Sequence, residues 1–390
     1  MSTTKTPDSS LSDVREPGAR INVSEVEPRP TRPVLWWAAA GGLWLTFTAY
    51  VLIRWVTGPN FTAIPSGPTV PPMYMRVSLT ALTIIGFPLA GLVLYHCLIK
   101  PWLRERRITS DGLLVLVFAT MYFQDPFSDA GGYWFTYNSW LPNMGSWVHY
   151  LPFWQSVATP GRGIAEPVLT MLPGYIYFWF AGVWGSTWLF RRILARWPRA
   201  GAAWATVGVF VALVVFDAVF EGLFWMQTGF YTYQGAGGPS LFPGSTYRFP
   251  LVEALLTASV FTPFVLLRYY RDDRGYTLVE RGIERVKAGT KTKTLLRFLA
   301  LVAAGQLIML VFYNLVAYNV GLRAHAYPEP AQQRSYILNR VCGEPTDQAC
   351  PGSSIPRPDG NSAYVGTNNQ LIVPPGTTLP PPVSVLRGAH

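Results

Sequence analysis

The sequence predicts an all-α protein, a polytopic membrane bundle of about seven transmembrane helices with its N-terminus inside and its C-terminus outside. Three observations predict it. Half of the 390 residues are hydrophobic and only 13% are charged, about half the roughly 25% usual in a soluble globular protein. Seven apolar stretches recur along the chain, most of them near the ~20 residues that cross a bilayer as a helix. Lysine and arginine gather in alternate loops, the mark of a fixed orientation in a membrane. Lipid offers no partner to backbone N–H and C=O groups, so only helices or closed barrels span it. Continuous apolar runs exclude the alternating pattern of a barrel.

Residues 1–33 are polar and mixed in charge, without the apolar core of a secretion signal, and are expected to form a disordered cytoplasmic tail. The bundle is expected over 34–320. Its spans are Val34–Ile53, Val77–Ile99, Leu113–Phe123, Pro167–Phe190, Ala203–Met226, Pro250–Leu267 and Phe298–Val320. The third is short, and crosses only by recruiting Asp111 and Gly112 at one end and Gln124 onward at the other. The loop after the second span carries four basic residues, the loop after the fourth another four, and the loop after the sixth nine, from Arg268 to Arg297. The opposite loops hold only Arg162 and Arg248, with Arg54 and Arg76 at helix ends. This alternation sets the predicted orientation. It also accounts for the net charge of +10 without nucleic acid as a partner; membrane lipid and an apolar small molecule are the partners expected, in a multi-pass protein of the cell membrane.

An outer segment, 125–166, is rich in aromatic residues, among them Tyr133, Trp134, Phe135, Tyr137, Trp140, Trp147 and Trp154. It reads either as a lid over an apolar pocket or as an interfacial segment with its rings at the headgroups. The turn region after the fifth span, which includes Tyr231, is expected to fold over the same place. A second outer segment, 321–354, carries Cys342 and Cys350. An oxidising exterior lets them close a small loop; the alternative is two free thiols. Residues 355–390 are rich in proline, and too poor in apolar residues to build a core, so a disordered tail is expected.

Ionisable groups inside spans are expensive, roughly 2.5–3.5 kcal/mol each on insertion scales, and each needs a reason. Asp217 and Glu221 lie four apart in the fifth span and share one helix face. Glu253 sits just inside the sixth span, Asp125 closes the third, Glu166 opens the fourth, and Asn314 lies in the outer half of the seventh. These acids fall in one layer near the outer interface, with no lysine within any span. A carboxyl group so placed is expected to hold or share a proton, which makes it a general acid, and an ionised neighbour can stabilise a developing cation. Asp125, Glu166 and Glu253, being near helix ends, also fit plain capping or interfacial roles. The four histidines form no cluster at metal-ligand spacing. No phosphate-binding glycine loop or dinucleotide fingerprint occurs, and the last span lacks the lysine a retinal Schiff base requires. No cofactor or metal is expected.

At these residues the sequence resembles the AveC-type spirocyclases of actinobacteria. The likeness rests on WVTGPNF, PPMYM, DPFSDAGGYWFTYNSWLPNMGSW, FDAVFEGLFWMQTGFYTYQG, LFPGSTYRFPLVEA, YYRDDRGYTLVERGIERV and CGEPTDQACP, and covers nearly everything from the first span to Pro351. It implies a role in secondary metabolism, where the family's namesake closes a dihydroxy-ketone into a spiroketal, in one case with dehydration. The stretch from Asp217 to Glu253, an acid, an aromatic turn and a proline-led second acid, is also similar to membrane carotenoid cyclases. Together these point to an acid-catalysed cyclase or dehydratase on a polyketide- or lipid-like substrate. Asp217 and Glu221 are the expected acid and cation stabiliser, with Glu253, Asp125 and Glu166 as partners. Asn314, Trp134, Tyr137 and Tyr231 are the expected substrate-lining residues. The alternative is a lipid or secondary-metabolite transporter, or an accessory membrane subunit without catalysis.

Overall fold

The computed structural model describes residues 32–128, 134–152, 164–323, 325–344, 346–351, 364–366, 368, 370–373 and 375. The expected N-terminal tail up to residue 31 and most of the expected C-terminal tail lie outside the described residues, as do Tyr133, Trp154 and Arg162.

The described chain is an all-α polytopic membrane bundle. Six helices are long and apolar enough to cross a bilayer: α1 (Pro33–Val56), α2 (Met73–Glu105), α4 (Val168–Arg196), α5 (Pro198–Thr228), α6 (Leu251–Tyr269) and α7 (Thr290–Leu322). The expected short span is α3, Ser110–Met121, continued by a 3-10 helix over Tyr122–Phe127. Twelve α residues at ~1.5 Å and six 3-10 residues at ~2.0 Å reach about 30 Å, the thickness of a bilayer's hydrocarbon core. The stretched 3-10 end lets 18 residues cover that distance. Leu113, Val117, Phe118 and Met121 are buried, so α3 packs against α4 and α7 and its polar groups meet protein.

Small residues and rings set the packing. Gly41 lets α1 lie along α7, since a Cβ there would meet the Leu299 carbonyl. In the middle of the bundle Trp179 of α4 stacks on Phe261 of α6 at 4.8 Å, and Phe118 of α3 meets Phe264 edge-on at 5.3 Å.

Charge collects at one end. Asp111, ahead of the apolar part of α3, receives two hydrogen bonds from Arg268, at 3.0 and 2.8 Å, and pairs with Arg271. Arg297, read from sequence as a loop charge, lies buried in α7 and donates to Glu280 at 2.7 Å and to Ser110 at 3.1 Å. Glu280 in turn closes a capping box with Thr277.

The other end is roofed by irregular chain. Strand β1 (Thr136–Tyr137) pairs antiparallel with β2 (Tyr231–Thr232), joining the aromatic segment to the turn after α5. Strand β3 (Ser240–Leu241) pairs with β4 (Phe249–Pro250), which delivers the chain into α6. The segment after α7 lies against this roof: Thr136 donates to Ile337 O at 2.7 Å, and Asn339, fully buried, donates to Tyr137 O at 2.7 Å and accepts from Ala165 N at 2.9 Å. Asn339 has φ +52°, a left-handed position that asparagine tolerates better than most residues. Cys342 and Cys350 form a disulfide.

Candidate active site

Beneath the roof lies a cavity of about 220 Å³. Four carboxyl groups line it: Asp125 from the end of α3, Asp217 and Glu221 from α5, and Glu253 from the first turn of α6. Aromatic rings make most of the remaining wall, with Phe135 and Tyr137 from β1 and its approach, Tyr231 and Tyr233 around β2, and Trp179 and Phe261 below.

Each acid is held differently. Asp125 is gripped on both oxygens, Oδ1 accepting from Tyr175 and Oδ2 from Tyr137, each at 2.6 Å. Glu221 Oε1 accepts from Tyr233 at 2.8 Å. Glu253 Oε1 accepts from Tyr313 at 2.7 Å, with the Thr257 hydroxyl at 3.5 Å, while Oε2 is buried without a hydrogen-bond partner. Asp217 is buried, and its Oδ2 also has no partner. A buried polar atom left without a partner is costly, and where two such carboxyl oxygens belong to residues lining one cavity, they leave positions for a ligand or a proton. The roof phenols stay protonated: burial, and then the Glu221 carboxyl beside them, push Tyr231 and Tyr233 well above their ordinary range. Burial, and then Asp125, do the same to Tyr137. They serve as neutral O–H donors.

Local backbone geometry aims these groups. Glu221 lies in a π-helical turn of α5, Phe220–Trp225, in which the Met226 N–H reaches the Glu221 carbonyl five residues back. Tyr313 lies in a second such turn, Leu310–Asn314 of α7, closed by the Leu315 N–H to Leu310. Such turns recur at functional sites because the extra residue re-aims side chains from an otherwise regular helix.

Glu166, Asn314 and Trp134 sit around the cavity and not on it. Glu166 is buried behind Asp125, within hydrogen-bonding contact of its carboxyl. Asn314 donates to Gln124 at 2.9 Å, Gln124 to Gln306 at 2.6 Å, and Gln306 to Thr120 at 3.0 Å. This chain of amides fastens α3 to α7 and does not face the cavity. Trp134 backs the wall: its Nε1 donates to Ser128 O at 3.0 Å and its ring packs on Tyr233 at 5.2 Å. Tyr137 and Tyr231 do line the cavity, with Tyr175, Tyr233, Tyr313 and Thr257, which sequence reasoning did not single out. These tyrosines give no sequence signal, because each meets an acid held on another element: Tyr175 lies 50 residues from Asp125 and Tyr313 60 residues from Glu253.

The cavity reaches the outer surface of the bundle. Leu82 of α2, Phe178 of α4 and Phe220 of α5 border it, and Phe178 is 37% exposed. Gly174 also lines it, and a Cβ added there would meet nothing within 4 Å. In a bilayer this side faces acyl chains. No group of three or more His, Cys, Asp or Glu able to hold a metal ion occurs among the described residues.

Residues 105–337 match the family model described as spirocyclase AveC-like. No curated protein and no solved structure matches the chain.

Proposed function

The chain belongs to the spirocyclase AveC-like family, whose model covers more than half of it, and on that premise we propose that the roofed cavity is the active site of an acid-catalysed cyclase forming spiroketal-type products from polyketide- or lipid-like substrates. The observation that carries the reading is the meeting of four carboxyl groups from three helices in one aromatic cavity, each in a different hydrogen-bonding state.

The chemistry uses that difference. Asp125, with both oxygens already receiving phenol O–H groups, is the fixed negative counter-charge. Asp217 and Glu253, each with an oxygen that receives nothing, and Glu221 between them carry the exchangeable proton. One of these acids protonates the hydroxyl of a hemiketal. The C–O bond breaks and water leaves. The resulting oxocarbenium ion lies against the Asp125 carboxylate and the ring faces, as cations do in two-carboxylate glycoside chemistry and over aromatic rings. A second hydroxyl of the substrate attacks it, and that hydroxyl's proton returns to the acid that gave up its own. Atoms and charge balance without a cofactor. The volume of about 220 Å³ is below the ~300–1,000 Å³ of pockets that enclose a whole drug-sized ligand. It suits the reacting segment of a larger molecule whose remainder lies toward lipid.

The test is comparative metabolite and lipid profiling of a deletion strain complemented with wild type, Asp217→Asn or Glu221→Gln. Accumulation of a ketone-diol or hemiketal precursor in the deletion strain and in both variants, at unchanged protein level, supports the reading. General acid–base catalysis contributes ~10²–10⁴-fold, so turnover falls by about that much. Full product formation in both variants rejects it. Proton-driven flux of an unchanged compound across vesicles establishes the transport alternative in its place.

A further inference from the structure

At the end of the bundle opposite the cavity lies a broad open groove of about 1040 Å³. It is formed by the end of α2, the start of α3, the loop after α6 and the first turns of α7. Its walls carry seven cationic side chains and one carboxylate, Asp111. That carboxylate is spent on Arg268 and Arg271. Two of the cations, Arg271 and Arg297, form a fixed floor, pinned by Asp111 and by Glu280. Arg297 is further clamped over the Tyr276 ring at 4.7 Å. Even so, Arg271 keeps a buried Nε with no hydrogen-bond partner. At the rim, Arg106, Arg274, Lys291 and Lys293 have no ion-pair partner among the described residues. α7 also starts here, after Gly289 with no side-chain cap, and Thr290 and Thr294 face the groove. Its first-turn N–H groups lack intrahelical acceptors and favour an anion.

We propose that this groove binds the phosphate headgroup of an anionic phospholipid. Pinned guanidinium groups, lysines without ion-pair partners among the described residues and an uncapped helix start form a phosphate-binding set. Its position selects the source of that phosphate. Trp102, 50% exposed, lines the groove and Leu103 beside it is exposed, so an apolar edge runs from the groove onto the lipid-facing end of α2, where acyl chains continue from a headgroup. The segment that supplies Arg271, Arg274 and Tyr276 belongs to the family-like stretch YYRDDRGYTLVERGIERV, none of which lines the cavity. The proposal is independent of the cyclase reading.

The experiment is a titration of the purified full-length protein in micelles with phosphatidylglycerol, phosphatidylcholine and inorganic phosphate, counting bound molecules by native mass spectrometry. Phosphatidylglycerol is expected to bind at least tenfold more tightly than phosphatidylcholine. A basic residue near a charged membrane surface contributes about fivefold in affinity, so Arg274→Ala/Lys291→Ala/Lys293→Ala loses about a hundredfold. These are rim residues, and an unchanged thermal midpoint reports an intact fold. A control triple variant outside the groove, Arg191→Ala/Arg192→Ala/Arg196→Ala, retains affinity. Equal binding of the two lipids, an unaffected groove variant, or equal loss in both variants overturns the proposal. Displacement of the lipid by millimolar inorganic phosphate overturns the lipid assignment in favour of a soluble phosphate.

Discussion

The grip of two phenols on Asp125 can be measured. Tyr137→Phe/Tyr175→Phe removes two hydroxyls and little else, since the Tyr175 ring stays stacked on Trp179 at 5.5 Å. Asp125→Asn keeps the shape, but an amide presents one oxygen where the carboxylate presents two. In the wild-type site both phenols bond at 2.6 Å. Hydrogen bonds to a charged acceptor contribute ~1.5–3 kcal/mol each and neutral ones ~0.5–1.5 kcal/mol. Removing the phenols therefore takes two charge-assisted bonds from the aspartate protein and one neutral bond from the asparagine protein. The double-mutant cycle leaves a coupling of about 2–5 kcal/mol if the carboxyl is ionised, above the ~0.6 kcal/mol average for hydrogen bonds between membrane helices. A neutral carboxylic acid would give about 1 kcal/mol. Reversible unfolding of the four proteins in mixed micelles reads the difference directly. A coupling at or below about 1 kcal/mol refutes the assignment of Asp125 as the ionised counter-charge, and with it the division of labour among the acids.

Three further outcomes are expected. Arg297→Met leaves Glu280, 0% exposed, as a buried unpaired anion, and should cost ~3–5 kcal/mol of stability in the same unfolding assay. His149, in the roof segment, is pushed below its ordinary value by burial. Its unfolded form therefore takes up a proton first as pH falls through ~6.5, so stability present above that pH declines below it, and His149→Gln should flatten the decline between pH 7 and pH 5. Gly174→Leu places a side chain in empty cavity space; thermal stability should stay within ~1 kcal/mol while product formation falls at least tenfold, and wild-type turnover would show that the substrate lies elsewhere.

The spans were legible because lipid leaves the chain little choice: 20 apolar residues have one stable backbone solution. α3 was harder, since hydropathy counts residues and cannot see that Tyr122–Phe127 stretches into a 3-10 helix that gains length. Asp217 and Glu221 stood out because charge in an apolar run is rare, and their spacing placed them on one face. Tyr175, Tyr233 and Tyr313 did not, because a tyrosine in or beside a span reads equally as core, interface or partner; only the tertiary arrangement brings each hydroxyl to an acid. Asn314 misled for the complementary reason. A polar side chain within a span looks like a site residue, yet here it completes an amide chain between α3 and α7. Arg297 was counted as a loop charge because the positive-inside pattern weighs arginines without asking which ones turn inward. Its partner was readable: Thr277-Leu-Val-Glu280 is a capping-box pattern that fixes Glu280 beside the start of α3.

The π-helical turn at Phe220–Trp225 bears on how such a site could arise and be lost. Each residue advances an α-helix by about 100°, so deleting a single codon within the turn would restore a regular helix and swing Trp225 through Thr228 about its axis, displacing the chain that carries Tyr233 to Glu221. Hydropathy, length and membrane insertion would hardly change. A lineage can thus switch this chemistry off, or acquire it, by a one-residue length change in the fifth crossing. Alignments that treat gaps inside membrane segments as errors would hide the difference between an active descendant and an inert one.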